Sequence, residues 1–167
     1  HELCGEIGGK TDILINNAGL GRALGAVWDA EIEDIEMTVD TNVTSAILMI
    51  KAVLPGMIER GQGHIVNMSS VTALYPLAAA LYGATKGAIH KLSRDLRMEL
   101  QGTGIRVTEI NPGRVISEFY DVAIDDDEQR KKTVDNQCED LVAEDIADAI
   151  VYCVTAPWRV NVSQMEI

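Results

Sequence analysis

The chain has 167 residues, 47% of them hydrophobic and 24% charged, which suffices for one domain with a sizeable core and excludes a disordered segment. Fourteen Lys and Arg against 26 Asp and Glu give a formal charge of −12, which argues against a nucleic-acid partner and against docking to an anionic membrane. The sequence shows no apolar run near the roughly 18 residues of a membrane-spanning helix and no secretory signal at its start.

Strand and helix patterns alternate along the chain. In chain order we expect the end of a helix at residues 3–7, a strand at 11–15, a helix at 34–58, a strand at 64–68, a helix at 79–100, a strand at 105–110, a helix at 143–155 and a last strand at 160–167. This alternation predicts a parallel sheet with right-handed crossovers. Because the pattern starts within a helix and contains few strands, we expect residues 1–167 to be a single partial domain of a longer chain.

The polar segment 114–137 leaves two interpretations open. Acidic residues at 125–128 precede basic residues at 130–132, an order that suits the dipole of a short helix. On the first interpretation the segment is a solvated helix. On the second it is a mobile lid beside an active site.

The residues Tyr82 and Lys86 form the sharpest candidate for chemistry. Four positions apart on a helix, they lie on one face, so the phenol and the ammonium can point into one cavity. Lowering a tyrosine pKa from about 10 to about 7 requires about 4 kcal/mol. A cation about 4 Å away, at an effective dielectric constant near 20, supplies about that much at most. The pair can therefore exchange a proton with an alcohol oxygen, although the spacing alone also fits an exposed helical pair.

Small and hydroxyl residues follow three of the expected strands. Asn16-Asn17-Ala18-Gly19 follows the first strand, Ser69-Ser70 the second, and Pro112-Gly113 the third. Open parallel sheets bind their ligands at the carboxyl ends of the strands. We therefore expect these residues to share one crevice with the helix of Tyr82 and Lys86.

Five motifs in this order resemble the short-chain dehydrogenase/reductase family: Asn16-Asn17-Ala18-Gly19, Asn42 within Asp40-Thr41-Asn42-Val43, Asn67-Met68-Ser69-Ser70, Tyr82-x-x-x-Lys86 and Asn111-Pro112-Gly113. The resemblance implies an α/β fold, a Rossmann-like doubly wound parallel sheet whose N-terminal strands are missing from this sequence. The glycine-rich turn that holds the cofactor's pyrophosphate in the family is missing with them. Within the family, Leu54-Pro55-Gly56-Met57, the Tyr82–Lys86 segment and residues 160–167 resemble the NADP-dependent 3-hydroxy acid (serine-type) dehydrogenases.

The resemblance also implies roles for individual residues. Tyr82 is the general acid/base at the substrate oxygen, and Lys86 lowers its pKa and holds the ribose hydroxyls of the nicotinamide. A serine of the third motif bonds the substrate oxygen, and Asn42 anchors a water that links Lys86 to solvent. The cofactor-binding residues implied are Asn16, Asn17, Ala18, Gly19, Tyr82, Lys86, Pro112, Gly113 and Val115.

Two ways of counting select different serines. The family's usual spacing places the serine 13 residues before the tyrosine, which selects Ser69. The motif that closes the strand uses its second serine, which selects Ser70. Side chains alternate along a strand, so the strand end fixes direction, whereas the loop 73–81 can absorb a deletion. We therefore predict Ser70.

The remaining polar candidates indicate no metal site. His64 and His90 lack metal-ligand spacing to each other or to a cysteine. Cys4, Cys138 and Cys153 are odd in number and far apart, which fits reduced thiols in the cytoplasm better than disulfides.

The sequence as a whole predicts an oxidoreductase that interconverts a small-molecule alcohol, such as a 3-hydroxy acid, and a carbonyl compound with NADP, with NAD as the alternative cofactor. The resemblance implies a homodimer or homotetramer, with neither a nucleic acid nor a membrane as partner. The rival hypothesis is a non-catalytic scaffold or nicotinamide-sensing protein that keeps the fold.

Overall fold

The computed structural model describes residues 11–77, 79–124, 126–134 and 139–167. The helix end expected at residues 3–7 and two of the three cysteines, Cys4 and Cys138, lie outside these ranges. Within them, Cys153 is buried and forms no disulfide.

A four-stranded parallel sheet lies at the centre, with the strands in chain order. Its strands are β1 (Ile13–Asn16), β2 (Gly63–Met68), β3 (Ile105–Asn111) and β4 (Gln164–Glu166). The register places Asn16 beside Asn67 and Asn67 beside Glu109. Because all the pairs are parallel, the carboxyl ends of the strands share one edge, as the sequence predicts.

The α-helices of the described residues follow the expected order along the chain. They are α1 (Ile32–Val39), α2 (Ser45–Arg60), α3 (Ala80–Glu99), α4 (Phe119–Ala123), α5 (Asp127–Val134) and α6 (Ala143–Thr155). The expected bounds 143–155 are confirmed. A wide π-helical turn at Asp40–Thr44 joins α1 to α2, and the spacing of apolar residues does not reveal it.

Two further expected elements differ from the structure. The last strand is shorter than 160–167 because the carbonyls of Val160 and Val162 accept side-chain hydrogen bonds, at 2.9 Å from Arg106 and 2.7 Å from Thr108. The described residues of the segment 114–137 form two short helices, α4 and α5, where the first interpretation expected one.

Aliphatic side chains build a core on each face of the sheet. On one face α2 and α3 pack around Leu14, Ile50, Val53, Met57, Ile65, Leu96, Leu100 and Val107. On the other face α6 packs around Val66, Met68, Ile110, Ile146 and Cys153. The helices on both faces leave the carboxyl edge of the sheet for the site.

The helical stretch Ile32–Arg60 is long and apolar enough to cross a membrane by length and composition, which corrects the expectation that no such stretch exists. Its residues Ala46, Ile50, Val53 and Met57 are buried. Three of these four side chains belong to the core that packs on the sheet. One face of the stretch thus packs in the core beneath the sheet.

Polar side chains cross the apolar core in two lines. Asn16 Nδ2 donates to Asn67 Oδ1 at 2.8 Å, and Asn67 Nδ2 donates to Ser93 Oγ at 2.9 Å. This line ties β1, β2 and α3 together. In the second line, His64 Nε2 lies 2.8 Å from Thr108 Oγ1, which itself donates to the Val162 carbonyl. His64 Nε2 therefore carries the hydrogen, and burial lowers the pKa of His64 to about 4, with the nearby Arg106 adding to the effect.

Candidate active site

The Lys86 ammonium lies at the carboxyl edge of the sheet. α3 directs the side chain inward, where it is 4% exposed. Its Nζ donates to the carbonyl of Met68, the last residue of β2, at 2.9 Å. The same atom would lie 3.2 Å from a Cβ placed at Gly19, so the ammonium sits against the loop after β1. Burial lowers the pKa of Lys86 to about 8.

The Tyr82 ring lies one helical turn before Lys86. Lys86 Nζ is 5.7 Å from the ring centroid. The side chain of Ser70, at the end of β2, lies close enough to the Tyr82 phenol to affect its pKa. The structure thus brings together Tyr82, Lys86 and Ser70, three of the four residues implied as catalytic.

The pKa of Tyr82 differs from the expectation that Lys86 lowers it towards 7. Burial raises it to about 12; the hydrogen bond from Ser70 lowers it in part, and the charge of Tyr120 raises it further. The physical reason is burial: desolvation of the phenol disfavours its charged form, while the Lys86 ammonium donates to the Met68 carbonyl.

The two neighbouring serines have different partners. The Ser69 hydroxyl is buried and donates to the backbone carbonyl of Lys86 at 3.0 Å. Ser70 Oγ accepts from the Thr72 N–H at 3.1 Å and faces Tyr82. Ser69 therefore anchors α3 to the strand, and Ser70 is the serine in contact with the tyrosine.

The fourth implied residue, Asn42, is 2% exposed in the wide turn before α2. Its Nδ2 donates to the Leu20 carbonyl at 2.8 Å and to Thr85 Oγ1 at 2.9 Å. Thr85 in turn donates to the carbonyl of Tyr82 at 2.8 Å. Asn42 thus connects the loop after β1 to the helix of Tyr82, and Thr85 is a link that the motifs alone do not identify.

A cavity of about 230 Å³ opens beside these residues. Its lining includes Asn16, Asn17, Ala18, Asn42, Ser45 and Met68. An ammonium has three N–H donors, and the described contacts of Lys86 Nζ include one acceptor, the Met68 carbonyl. The other N–H groups of this buried ammonium can donate to the paired hydroxyls of a ribose. The residues of the site therefore fit a nicotinamide cofactor.

The implied cofactor residues after β3 line the same edge of the sheet. The Pro112 carbonyl accepts from the Val71 N–H at 3.1 Å, and the Gly113 N–H donates to the Ile167 carbonyl at 2.8 Å. Val115 forms an isolated parallel bridge with Leu141. These contacts attach the loop after β3 to its neighbours on both sides.

Aromatic residues of α4, which no motif indicates, complete the surroundings of Tyr82. The ring centroid of Phe119 lies 5.2 Å from that of Tyr82, and the rings of Phe119 and Tyr120 meet edge-on at 5.3 Å. In the sequence, these aromatic residues are indicated only by the second interpretation of the segment 114–137, which makes it a lid beside the active site.

Comparison with known proteins places these observations in one family. A family model described as short chain dehydrogenase matches residues 2–141. The NADP-dependent 3-hydroxy acid dehydrogenase YdfG of Salmonella typhi is 43% identical over 159 residues, which cover 93% of this chain and 64% of that protein. Sulfoacetaldehyde reductase 2 of Chromohalobacter salexigens is 38% identical over 160 residues, 95% of this chain and 64% of that protein.

Solved structures show the same likeness. The closed form of a serine dehydrogenase complexed with NADP+ matches with a TM-score of 0.88 at 42% identity, over 93% of this chain and 64% of that one. The predicted Rossmann-like fold, a parallel sheet flanked by helices, is confirmed. The chain spans about 64% of the length of the curated relatives it matches.

Proposed function

The chain belongs to the short-chain dehydrogenase family, and on that premise we propose that it is an oxidoreductase interconverting an alcohol and a carbonyl compound. The observation that carries the proposal is the contact of the Tyr82 hydroxyl with Ser70, beside the buried ammonium of Lys86. A phenol, a hydroxyl and an ammonium at the carboxyl edge of a parallel sheet form a site for proton transfer to oxygen.

In this proposal Tyr82 carries the proton and Ser70 positions the reacting oxygen. With a pKa of about 12, the Tyr82 phenol is protonated at neutral pH and suits the acid role in carbonyl reduction. Ser70 has the reach to bond the same oxygen because it contacts the tyrosine hydroxyl. In the oxidation direction Tyr82 must accept the proton as its phenolate, a form that burial of the phenol disfavours at neutral pH.

The cofactor in the proposal is NADP, with NAD as the alternative. When bound, it supplies the hydride. Lys86 would hold it through ribose hydroxyls, and Asn16, Asn17, Ala18 and Gly19 would line it on one side. Tyr82, Pro112, Gly113 and Val115 would line it on the other. Asn42 keeps the loop after β1 in place beside Lys86, and the family resemblance implies that it would also anchor a water linking Lys86 to solvent. Several relatives are NADP-dependent dehydrogenases by name, among them the 3-hydroxy acid dehydrogenase of Salmonella typhi.

Turnover tests the proposal directly. The full-length protein is incubated with a 3-hydroxy acid and either NADP or NAD, and the absorbance of the reduced nicotinamide is followed. We expect turnover, faster with NADP. Equal or faster turnover with NAD contradicts the cofactor preference. Tight cofactor binding without turnover of any alcohol or carbonyl compound favours the rival hypothesis, a non-catalytic nicotinamide-sensing or scaffold protein.

We further propose that residues 1–167 are part of one catalytic domain that works as a homodimer or homotetramer in the cytoplasm. Apolar side chains of α2 support the oligomer, since Ile47, Leu48 and Ile58 are each 44% exposed. A two-fold axis would cover such a face with its own copy. Light scattering on the full-length protein tests this, and a monomer at assay concentration contradicts it.

A further inference from the structure

The Phe119 ring fits a notch in the loop after β1. A Cβ placed at Gly21 would lie 2.1 Å from Phe119 Cζ, far inside van der Waals contact. The ring therefore occupies space that exists because residue 21 is a glycine. On its other side the ring meets Tyr82 at a tilt of 58°. Phe119 is thus wedged between Gly21 and the tyrosine that carries the proton in the proposed reaction.

An arginine from the same loop, Arg22, hydrogen-bonds α4 and holds it beside Tyr82. Arg22 Nη1 donates to the Val122 carbonyl, in the last turn of α4, at 2.7 Å. Arg22 Nε lies 3.2 Å from Asp34 Oδ1, with both side chains about a third exposed or less. Since Asp34 belongs to α1, Arg22 connects α4 to an element that packs independently of it.

α4 depends on these contacts for its position. It has five residues, Phe119–Ala123, and none of them is buried. A helix this short is not stable by itself. The seat of Phe119 at Gly21 and the bond from Arg22 hold α4 over Tyr82, together with the ion pair of Arg130 with Asp121 and the stacking of Arg114 on the Tyr120 ring.

We propose that Phe119 is a specificity-determining residue, which limits the size of the group next to the reacting carbon, and that Arg22 is the positioning residue that keeps it there. The inference rests on the proposed function. A substrate whose oxygen reaches Tyr82 and Ser70 lies beside the Phe119 ring. Small substituents fit under the ring, whereas bulky ones displace α4 and break the bond from Arg22 to Val122.

The size limit is tested on the full-length protein with 3-hydroxy acids that carry hydrogen, methyl, propyl or phenyl on the reacting carbon. We expect Phe119→Ala to raise kcat/KM for the propyl and phenyl substrates relative to the methyl substrate by about tenfold or more, the scale of hydrophobic pocket discrimination. Phe119→Leu should give an intermediate ratio. Gly21→Ala should shift the ratio in the same direction, because its Cβ expels the ring.

The role of Arg22 has its own readout, which does not depend on turnover. Chymotrypsin cleaves after Phe and Tyr, so release of α4 should expose Phe119 and Tyr120. We expect Arg22→Ala to speed cleavage at these residues severalfold and to raise KM more than it lowers kcat, with partial recovery in Arg22→Lys. Arg60→Ala is the matched control. Arg60 donates to the Thr11 carbonyl at 2.5 Å and lies 3.6 Å from an Asp12 oxygen, at the other end of the sheet.

The outcomes separate this inference from the proposed function. A wild-type protein that turns over none of the series overturns the proposed function and this inference with it. An active wild type whose size ratio is unchanged in Phe119→Ala and Gly21→Ala overturns the size limit alone. If chymotrypsin cleaves the Arg22→Ala variant no faster than the Arg60→Ala variant, Arg22 does not hold α4 in position.

Discussion

The side-chain amide of Asn42 pairs with both backbone polar groups of Leu20. Its Oδ1 accepts from the Leu20 N–H at 2.7 Å, and its Nδ2 donates to the Leu20 carbonyl at 2.8 Å. This pairing holds the residue next to Gly19, whose backbone lies against Lys86 Nζ. One buried amide therefore sets the distance between the loop after β1 and the ammonium of the site.

Replacing Asn42 with Asp should destabilise the protein by about 2–3 kcal/mol. The carboxylate accepts from the Leu20 N–H but cannot donate to the Leu20 carbonyl or to Thr85 Oγ1, so two acceptors lose their donor. Urea unfolding measures the loss. Thr44→Ala is the control, since its hydroxyl bonds Asp40 at an exposed position of the same wide turn, and we expect a change below about 0.5 kcal/mol. An equal loss in both variants would contradict the role of the amide.

Tyr82→Phe should lower kcat by about 10²–10⁴-fold, because the variant lacks the proton donor. Cofactor binding should remain nearly intact. Steady-state kinetics and calorimetric titration with NADP measure the two effects separately. Tyr75→Phe is the matched control, since the Tyr75 phenol is exposed and bonds Glu166. Retention of most activity in Tyr82→Phe would rule out the proposed proton transfer.

The two serines should respond differently to replacement by alanine. Ser70→Ala should lower kcat by about 10²-fold or more, the scale of one lost donor to a developing charge on oxygen. Ser69→Ala should cost stability instead, about 1 kcal/mol, because it loses the bond to the Lys86 carbonyl. Kinetics and urea unfolding of both variants test this, and the reverse ranking in kcat would assign the role to Ser69.

Lys86→Met should stabilise the folded protein near pH 7 while impairing turnover. The pKa of Lys86 falls from 10.5 to about 8 by burial, so below pH 8 its charge costs about 3 kcal/mol of folding free energy. The lost bond to Met68 offsets about 1 kcal/mol of that, which leaves a gain of about 2 kcal/mol. The gain should shrink as pH rises from 8 towards 10.5, where the folded and the unfolded states have both lost the proton.

Urea unfolding at several pH values measures this gain. Lys91→Met is the control, because the Lys91 ammonium is exposed beside Asp95. A gain in Lys86→Met that does not change with pH would show that desolvation of the charge is not its cause.

The free energy of unfolding should decrease in acid because of His64. Its pKa is lowered to about 4 from 6.5, so its contribution is complete above pH 6.5 and is lost as pH falls through 4, by up to about 3 kcal/mol. Protonation would also add an N–H at Nδ1, which has no partner among the described residues. Wild type should therefore lose more stability than His64→Gln between pH 6.5 and 4 in urea unfolding. Parallel curves would contradict this.

Local spacing is sufficient to predict the helix of Tyr82 and Lys86, because residues four apart share one face whatever the rest of the fold does. The wide turn around Asn42 escapes prediction, since the apolar spacing continues through it without a break. The raised pKa of Tyr82 cannot be predicted either, because it depends mainly on how deeply the folded chain buries the phenol.

The contacts that hold α4 in position also cannot be predicted from the sequence pattern. The bond from Arg22 to Val122 joins residues 100 positions apart, and neither belongs to a motif. The polar composition of the segment 114–137 is compatible with a solvated helix and with a lid. Gly21 and Phe119 are complementary in shape, and shape appears only once the chain has folded.

The line from Asn16 through Asn67 to Ser93 affects how reliably the sheet assembles. A slip of β1 by one residue along β2 would turn Asn16 to the opposite face of the sheet. Asn67 Oδ1 would then lose its donor inside the core, at a cost of about 1–3 kcal/mol for each unpaired group. The slipped register is therefore less stable than the native one. The native register also fixes where the loop that begins at Asn17 leaves the sheet.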